Sequence, residues 1–445
     1  MRTIIHNAWV LTMDENETIY HPGYVMIEEG KIVELGHEHQ LELDLEACKS
    51  SKTLELVDAK DGILIPGMIN AHTHLGMVPF RSLGDDMPDR LRRFLFPLEA
   101  IMTEDLVRAS TRYALAEMVL SGITGFADMY YFEEAVAEEV ERFGMRALLG
   151  ETVIQHPTCD SDGQTEFAGL SIGESFIKKW ANKSDLISPM IAPHAPNTNN
   201  DWSLRQAKSL ADTYQTPMMM HINEFDYEMA YYKEQYNTSP LGYLESLGLL
   251  DNRLIGVHLI HTDEEDLERL AQSGASVVHC IGANLKSAKG LAPLKEMLDR
   301  QIPLALGTDG PSSGNTLELF SIMRTVAISH KTKEKDRSFL PSNQILNLAT
   351  KQGAKVLGLD KVGEIKPGFW ADLTLVETQS VNMFPIHDPY AALVYSANAA
   401  NVESVWIKGR QLVKNKALID WDLRQLRQEL IDQMSVFIDK AKELS

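Results

Sequence analysis

The chain is poor in cysteine, short of positive charge and free of long apolar runs, and each shortage removes a class of protein. Its three cysteines, Cys48, Cys159 and Cys280, are spread across 445 residues. They form neither a CxxC pair nor a disulfide framework, which points to a reducing cytoplasm. No stretch approaches the roughly 18 apolar residues of a membrane span. Met1-Arg2-Thr3-Ile4-Ile5-His6-Asn7 lacks the apolar core and small-residue cleavage site of a signal peptide, so the expectation is a soluble, unsecreted, cytoplasmic protein. Lys and Arg number 42 against 63 Asp and Glu, a formal charge of -21. That balance repels nucleic-acid phosphates and anionic lipid head groups and leaves a small molecule as the expected partner.

What is present is an ordinary globular composition, 44% hydrophobic and 24% charged. At roughly 100 to 200 residues per domain, the length suits two or three domains, or one large barrel with an accessory domain. Up to Pro66 the pattern is short and β-rich: Ile4 to Thr12, Tyr24 to Glu28, and Lys31 to Leu35 after the turn at Glu29-Gly30. The same texture returns in Ala371 to Val376 and in Val402 to Leu412, with a turn near Gly409. Neither piece is large enough for its own core, so the reading is one small β-sandwich domain assembled from both chain ends.

Between them, strand-like runs alternate with helix-like segments, the signature of a parallel sheet with crossover helices. Eight runs are counted: Ile63 to Ala71, Gly122 to Met129, Met145 to Val153, Ile187 to Ala195, Pro217 to Glu224, Leu254 to Ile260, Ser276 to Asn284 and Pro303 to Gly310. Eight β/α units match a (β/α)8 TIM-like barrel, whose chemistry sits at the C-terminal ends of its strands. The expected fold is therefore α/β, with residues 1–66 and 362–445 forming the β-sandwich plus a terminal helix, and residues 67–361 the barrel. Thr262 and Glu265 read as a capping box ahead of Leu267, Leu270 and Ala271. Leu423, Leu426, Leu430, Met434, Phe437 and Ile438 mark an amphipathic helix at the end of the chain, for packing on the body or on a second subunit.

The strongest local signal is His72-Thr73-His74 directly after an apolar run. Residues i and i+2 of a strand end point the same way, so two imidazoles can converge on one ion. His37-Glu38-His39 has the same spacing in a polar turn and reads as exposed and inert. Four other strand ends carry matching groups: His194, His221 with Glu224, His258, and Asp309. His72, His74, His221 and Asp309 supply the imidazoles and carboxylate that one divalent ion with an open position needs, zinc or ferrous iron by ligand type. His258 could hydrogen-bond a metal-bound hydroxide and Glu224 could carry a proton to substrate, which defines hydrolysis at an electrophilic carbon. His261 and His279 read as structural.

These residues resemble the amidohydrolase superfamily over nearly the whole chain. Pro66-Gly67-Met68-Ile69-Asn70-Ala71-His72-Thr73-His74 is similar to its opening motif, Leu306-Gly307-Thr308-Asp309-Gly310 to its strand-eight motif, and Gly363 to Leu373 to the return into the β-sandwich. The run Ile187 to Ala195 has no lysine to carboxylate, so His194 and the His221/Glu224 pair resemble the mononuclear aminohydrolase branch. Within it, Pro97-Leu98-Glu99, Phe126 to Tyr130, Phe143 to Ala147, Ala192 to Pro196 and Asn284-Leu285-Lys286 resemble the 5'-methylthioadenosine/S-adenosylhomocysteine deaminases. The resemblance implies that Glu99 meets the ribose hydroxyls, His194 contacts the nucleoside and Glu224 serves the purine ring nitrogen. That family usually carries an arginine for the homocysteine carboxylate where this chain has Glu151. Glutamate there would repel a carboxylate and favour an uncharged or cationic substrate.

The function this implies is a metal-dependent aminohydrolase acting on an adenosine-type nucleoside. Hydroxide on the ion attacks the carbon bearing the exocyclic amine, Asp309 takes the water proton, Glu224 protonates the ring nitrogen, and ammonia leaves. A second reading keeps the ion and changes the target to a free base or other heterocycle of guanine, pterin or triazine type, against which Glu99 argues by asking for a ribose. A third is a non-catalytic barrel scaffold, which loss of metal ligands would announce. The terminal helix and Met229-Ala230-Tyr231-Tyr232 are candidate homo-oligomer contacts.

Overall fold

Alternating apolar residues near the chain start make four strands: β1 (Arg2–Leu11), β2 (Ile19–Glu28), β3 (Lys31–His37) and β4 (Leu54–Pro66). The computed structural model describes residues 2–41, 54–87, 90–155 and 165–444; Cys48, Cys159 and His156 lie outside them. Parallel strands follow as β5 (Met68–Thr73), β6 (Ile123–Tyr130), β7 (Arg146–Val153), β8 (Ile187–Pro189), β9 (Ala192–Pro193), β10 (Met218–Ile222), β11 (Leu254–His258), β12 (Ser276–His279) and β13 (Leu304–Leu306). The chain then adds β14 (Leu373–Val376), β15 (Val402–Ile407), β16 (Arg410–Lys414) and β17 (Ala417–Leu418).

Two compact units result. The first comprises Met1–Asn70, Ala116–Gly125 and Glu318–Trp421. It holds an eight-stranded sheet of order β17-β16-β15-β14-β4-β1-β2-β3, in which strands from both chain ends are hydrogen-bonded through the β14–β4 pair. One apolar cluster joins Ile5, Val10, Val25 and Ile32 to Leu373, Leu375 and Trp406. Burying such side chains contributes about 1.5–3 kcal/mol each, and here the burial needs both ends of the chain.

The second unit comprises Ala71–Leu115, Phe126–Leu317 and Asp422–Ser445. Strands β10, β11, β12 and β13 pair in parallel order, and β7 pairs in parallel with β8 and β9. With β5, β6, β7 and β8 hydrogen-bonded in that order in a second series, the arrangement is a TIM-barrel-like α/β fold. Strands β5, β6, β7, β10, β11 and β12 are buried along their whole length. That is why they read as unbroken apolar runs rather than alternations.

Three sequence boundaries need correction. The run Ile63 to Ala71 is two strands, because the chain breaks at Gly67, where a Cβ would lie 2.1 Å from Thr124 Oγ1. The run Ile187 to Ala195 is two short strands, since prolines at 189 and 193 cannot donate to a ladder. The run Ser276 to Asn284 ends as a strand at His279, and Ile281–Lys286 is helical. The helix Glu264–Ser273 is capped by Asp263, which accepts the Asp266 amide, rather than by Thr262, whose hydroxyl bonds Leu259 O. The terminal helix is two, Leu423–Gln433 and Ser435–Leu444, and Phe437 packs edge-on against Phe80 within the second unit. His39 is exposed, whereas His37 is half-buried beside Tyr20.

Candidate metal-dependent active site

The C-terminal ends of β5, β10, β11 and β13 bring the sequence candidates together. His72 is the penultimate residue of β5 and His74 follows it, so their rings project to one side with centroids 4.7 Å apart. His221 arrives from β10, and one ligand atom each of His72, His74 and His221 lies within 4.8 Å of the others. Asp309 follows β13. Its Oδ1 stands 3.3 Å from His74 Nε2 and 3.8 Å from His72 Nε2. Its φ of 61° and the 76° of His258 are left-handed, a conformation that costs about 1–3 kcal/mol for such residues and re-aims the side chain at a strand end.

The three rings are oriented for coordination through Nε2. His74 Nδ1 faces Met129 O at 2.6 Å and His221 Nδ1 faces His194 O at 2.8 Å, so each Nδ1–H is spent on a carbonyl. His72 Nδ1 faces Met219 Sδ at 3.3 Å. That outer contact fixes the tautomer and turns the Nε2 lone pair inward, as metal-binding histidines require. Burial, aided by the neighbouring imidazoles, lowers the pKa of His72 and His221 well below the usual value. His74 behaves oppositely: burial would lower it, but its hydrogen bond and ion pair with Asp309 raise it to about 9. Three inward nitrogens and a carboxylate held well below its ordinary range by His74 fit a divalent cation.

Around this centre, His258 Nδ1 meets Asn284 Oδ1 at 2.8 Å, and its Nε2 lies 3.5 Å from Glu224 Oε1 and 4.0 Å from Asp309 Oδ2. Burial would raise Glu224, but the charges of His258 and Lys289 hold it at about 2. His194 Nδ1 contacts Thr198 Oγ1 at 3.0 Å, and its ring centroid is 5.0 Å from that of His221. Glu99 accepts a long bond from the Tyr130 hydroxyl at 3.4 Å, and the Tyr130 ring is 6.3 Å from that of His74.

Glu151 is placed differently: it is buried, and its two oxygens accept the amides of Phe132 and Glu133 at 3.0 and 2.8 Å, capping the helix Glu133–Phe143. His279 is buried in β12, and His261 is ion-paired with Asp226 at 3.2 Å.

Sequence reasoning missed Asn284 as the partner of His258, Lys289 as the partner of Glu224, and Asp128, whose Oδ1 accepts the Leu75 amide at 2.7 Å just behind His74. Burial raises both Asp128 and Glu133 above their ordinary range, and the Asp128 charge pushes Glu133 up further. Asn284 was legible as a motif residue, but reading its segment as strand hid the contact. Lys289 reaches the site from a turn and left no periodic trace.

Residues 63–412 match the amidohydrolase family, and the chain belongs to it. It is accordingly a hydrolase acting on carbon–nitrogen bonds. The chain is 36% identical to the 5-methylthioadenosine/S-adenosylhomocysteine deaminase of Syntrophobacter fumaroxidans over 430 residues, which cover 96% of each protein. It is 34% identical to the 5'-deoxyadenosine deaminase of Methanosarcina barkeri, again over 96% of each. Among solved structures, an adenosine deaminase from Xanthomonas campestris with bound zinc superposes at a TM-score of 0.91 with 31% identity, covering 99% of this chain and 98% of that one.

Proposed function

We propose that the protein is a zinc-dependent aminohydrolase that deaminates an adenosine-type nucleoside with an uncharged 5' substituent, of 5'-methylthioadenosine type, and that S-adenosylhomocysteine is a poorer substrate. The observation that carries this is the convergence of His72, His74 and His221 beside Asp309, with Glu224 and His258 on the same side. The names of the relatives above support the nucleoside, and the zinc in the Xanthomonas structure supports the metal.

His72, His74, His221 and Asp309 would hold the ion. When bound, such an ion supplies Lewis acidity and lowers the pKa of water toward about 7. Asp309 accepts the proton of the attacking water at its carboxylate, and His258, held through Nδ1 by Asn284, orients that water with Nε2. Glu224 rests ionised, so it takes up the other proton of that water and delivers it to the ring nitrogen. Water oxygen replaces the exocyclic amine on carbon, and the amine takes the proton held by Asp309 and departs as ammonia. Glu99 binds the ribose hydroxyl pair and His194 contacts the nucleoside. Glu151, whose oxygens accept two backbone amides, disfavours a carboxylate-bearing 5' substituent by its negative charge.

The fold reading extends in the same way. A closed (β/α)8 barrel is supported by the β-bridge between Ile191 and Met218 and by the bond from Asp309 N to His72 O at 3.1 Å, which link the two parallel series on both sides. A β-sandwich built from residues 1–66 and 362–445, around a barrel of residues 67–361, is supported by the β14–β4 pair and the cluster shared by both chain ends; the terminal helices group with the barrel residues. No described helix is long and apolar enough to cross a membrane, and a cytoplasmic site suits the buried free thiol of Cys280. Glu224→Gln tests the chemistry: it should keep its metal and lose about 10²–10⁴-fold in turnover. An unchanged rate removes Glu224 from the mechanism.

A further inference from the structure

We propose that Lys289 is the positioning residue for the Glu224 carboxylate, an inference that rests on the reading of Glu224 as the proton carrier. Lys289 lies in the turn after the helix Ile281–Lys286, where its amide donates to Asn284 O at 3.0 Å. Its side chain is only 13% exposed, its ammonium is ion-paired with Glu224 Oε1, and the same nitrogen stands 4.4 Å from the centre of the Phe225 ring. A lysine gives up hydration and rotamer freedom to reach such a place, so it needs a partner of opposite charge and an aromatic face to stay there. Glu224 and Phe225 provide both.

His258 Nε2 faces the same Oε1 at 3.5 Å. The charged and titratable groups around the carboxylate include His194 after β9, His221 on β10, His258 on β11, the Cys280 thiol after β12, Lys289, and Glu228, whose Oε2 accepts the Glu224 amide at 3.1 Å. Burial, with the Glu224 charge, pushes Glu228 up to about 7, so it adds little negative charge below neutrality. The ammonium acts with His258 to offset burial at Glu224, and it alone of the two carries a full charge on a flexible stem. Without it, Oε1 loses its tether and the carboxyl takes up a proton from bulk solvent at higher pH. A carboxyl already protonated cannot collect the proton that it must carry.

The test compares Lys289→Met and Lys289→Arg with the parent enzyme, metal-loaded, on whichever adenosine analogue the parent deaminates. Expected for Lys289→Met is an unchanged metal content, a KM within about threefold and a kcat lowered on the order of tenfold. Lys289→Arg should restore the parent profile. A Lys289→Met profile that superimposes on the parent overturns the proposal.

A second readout does not use turnover: acetylation of lysines by acetic anhydride, mapped by mass spectrometry. Lys289 should react far more slowly than exposed Lys442 in the parent and faster in Glu224→Gln. Equal reactivity of Lys289 in the parent and Glu224→Gln overturns the pairing. If Lys289 is protected in a Glu224-dependent way but no adenosine analogue is deaminated, the substrate reading falls and the pairing stands.

Discussion

His72 and His221 meet nose to nose across the site, their Nε2 atoms 3.2 Å apart. Two nitrogens at that distance share either one proton or one cation. Burial keeps both rings neutral, so they are ready to act as ligands at neutral pH.

His72→Ala and His221→Ala should each lower bound metal, measured by elemental analysis, from about one ion per chain to less than roughly a tenth. Far-ultraviolet circular dichroism should be unchanged. Full metal occupancy in either variant would move the site elsewhere.

Metal affinity should depend on pH through His74. Without an ion its ring is protonated below about 9 because Asp309 holds the proton there. A cation must displace that proton, so binding becomes tighter as pH rises. The association constant should climb about tenfold per unit from pH 7 to 9 and flatten above, as read by competition with a chelator. A flat dependence over that interval would mean that His74 is not a ligand.

Asn284→Ala frees the His258 ring by removing the acceptor at Nδ1. Losing such an orienting partner typically costs about 10–100-fold in activity. Here the loss should fall on kcat, with KM and metal content retained. A change confined to KM would make Asn284 a substrate contact.

Much of this site was legible because its residues stand at strand ends, where an apolar run stops and a polar ligand begins. His72, His74, His221, His258 and Asp309 all follow that rule, and backbone geometry then converges them. The β-domain was legible from its alternations, though not the break at Gly67, where Thr124 leaves no room for a side chain. Three things could not be read. The helix after His279 follows an apolar strand without a turn signal, so its Asn284 was hidden. Lys289 acts through a turn whose path only tertiary packing decides. Glu151 also accepts the amides that open the helix Glu133–Phe143, where Phe132 has a left-handed φ of 62°, and no local pattern around Glu151 announces that contact.

Glu99→Gln should raise KM for nucleosides about 10–100-fold, the loss expected for a charged hydrogen-bond acceptor at 1.5–3 kcal/mol, and leave kcat nearly unchanged. Nucleoside and 2',3'-dideoxynucleoside kinetics compared in parent and variant check this. An equal effect on both substrates would detach Glu99 from the ribose.

The most direct measurement is ammonia release, with its ultraviolet change, by zinc-loaded protein supplied with 5'-methylthioadenosine, 5'-deoxyadenosine, adenosine, S-adenosylhomocysteine, guanine and a triazine. Expected is rapid release from the neutral adenosine analogues, slower release from S-adenosylhomocysteine and none from guanine or the triazine. Release from guanine or the triazine alone would contradict the nucleoside assignment, and release from none would contradict the aminohydrolase itself.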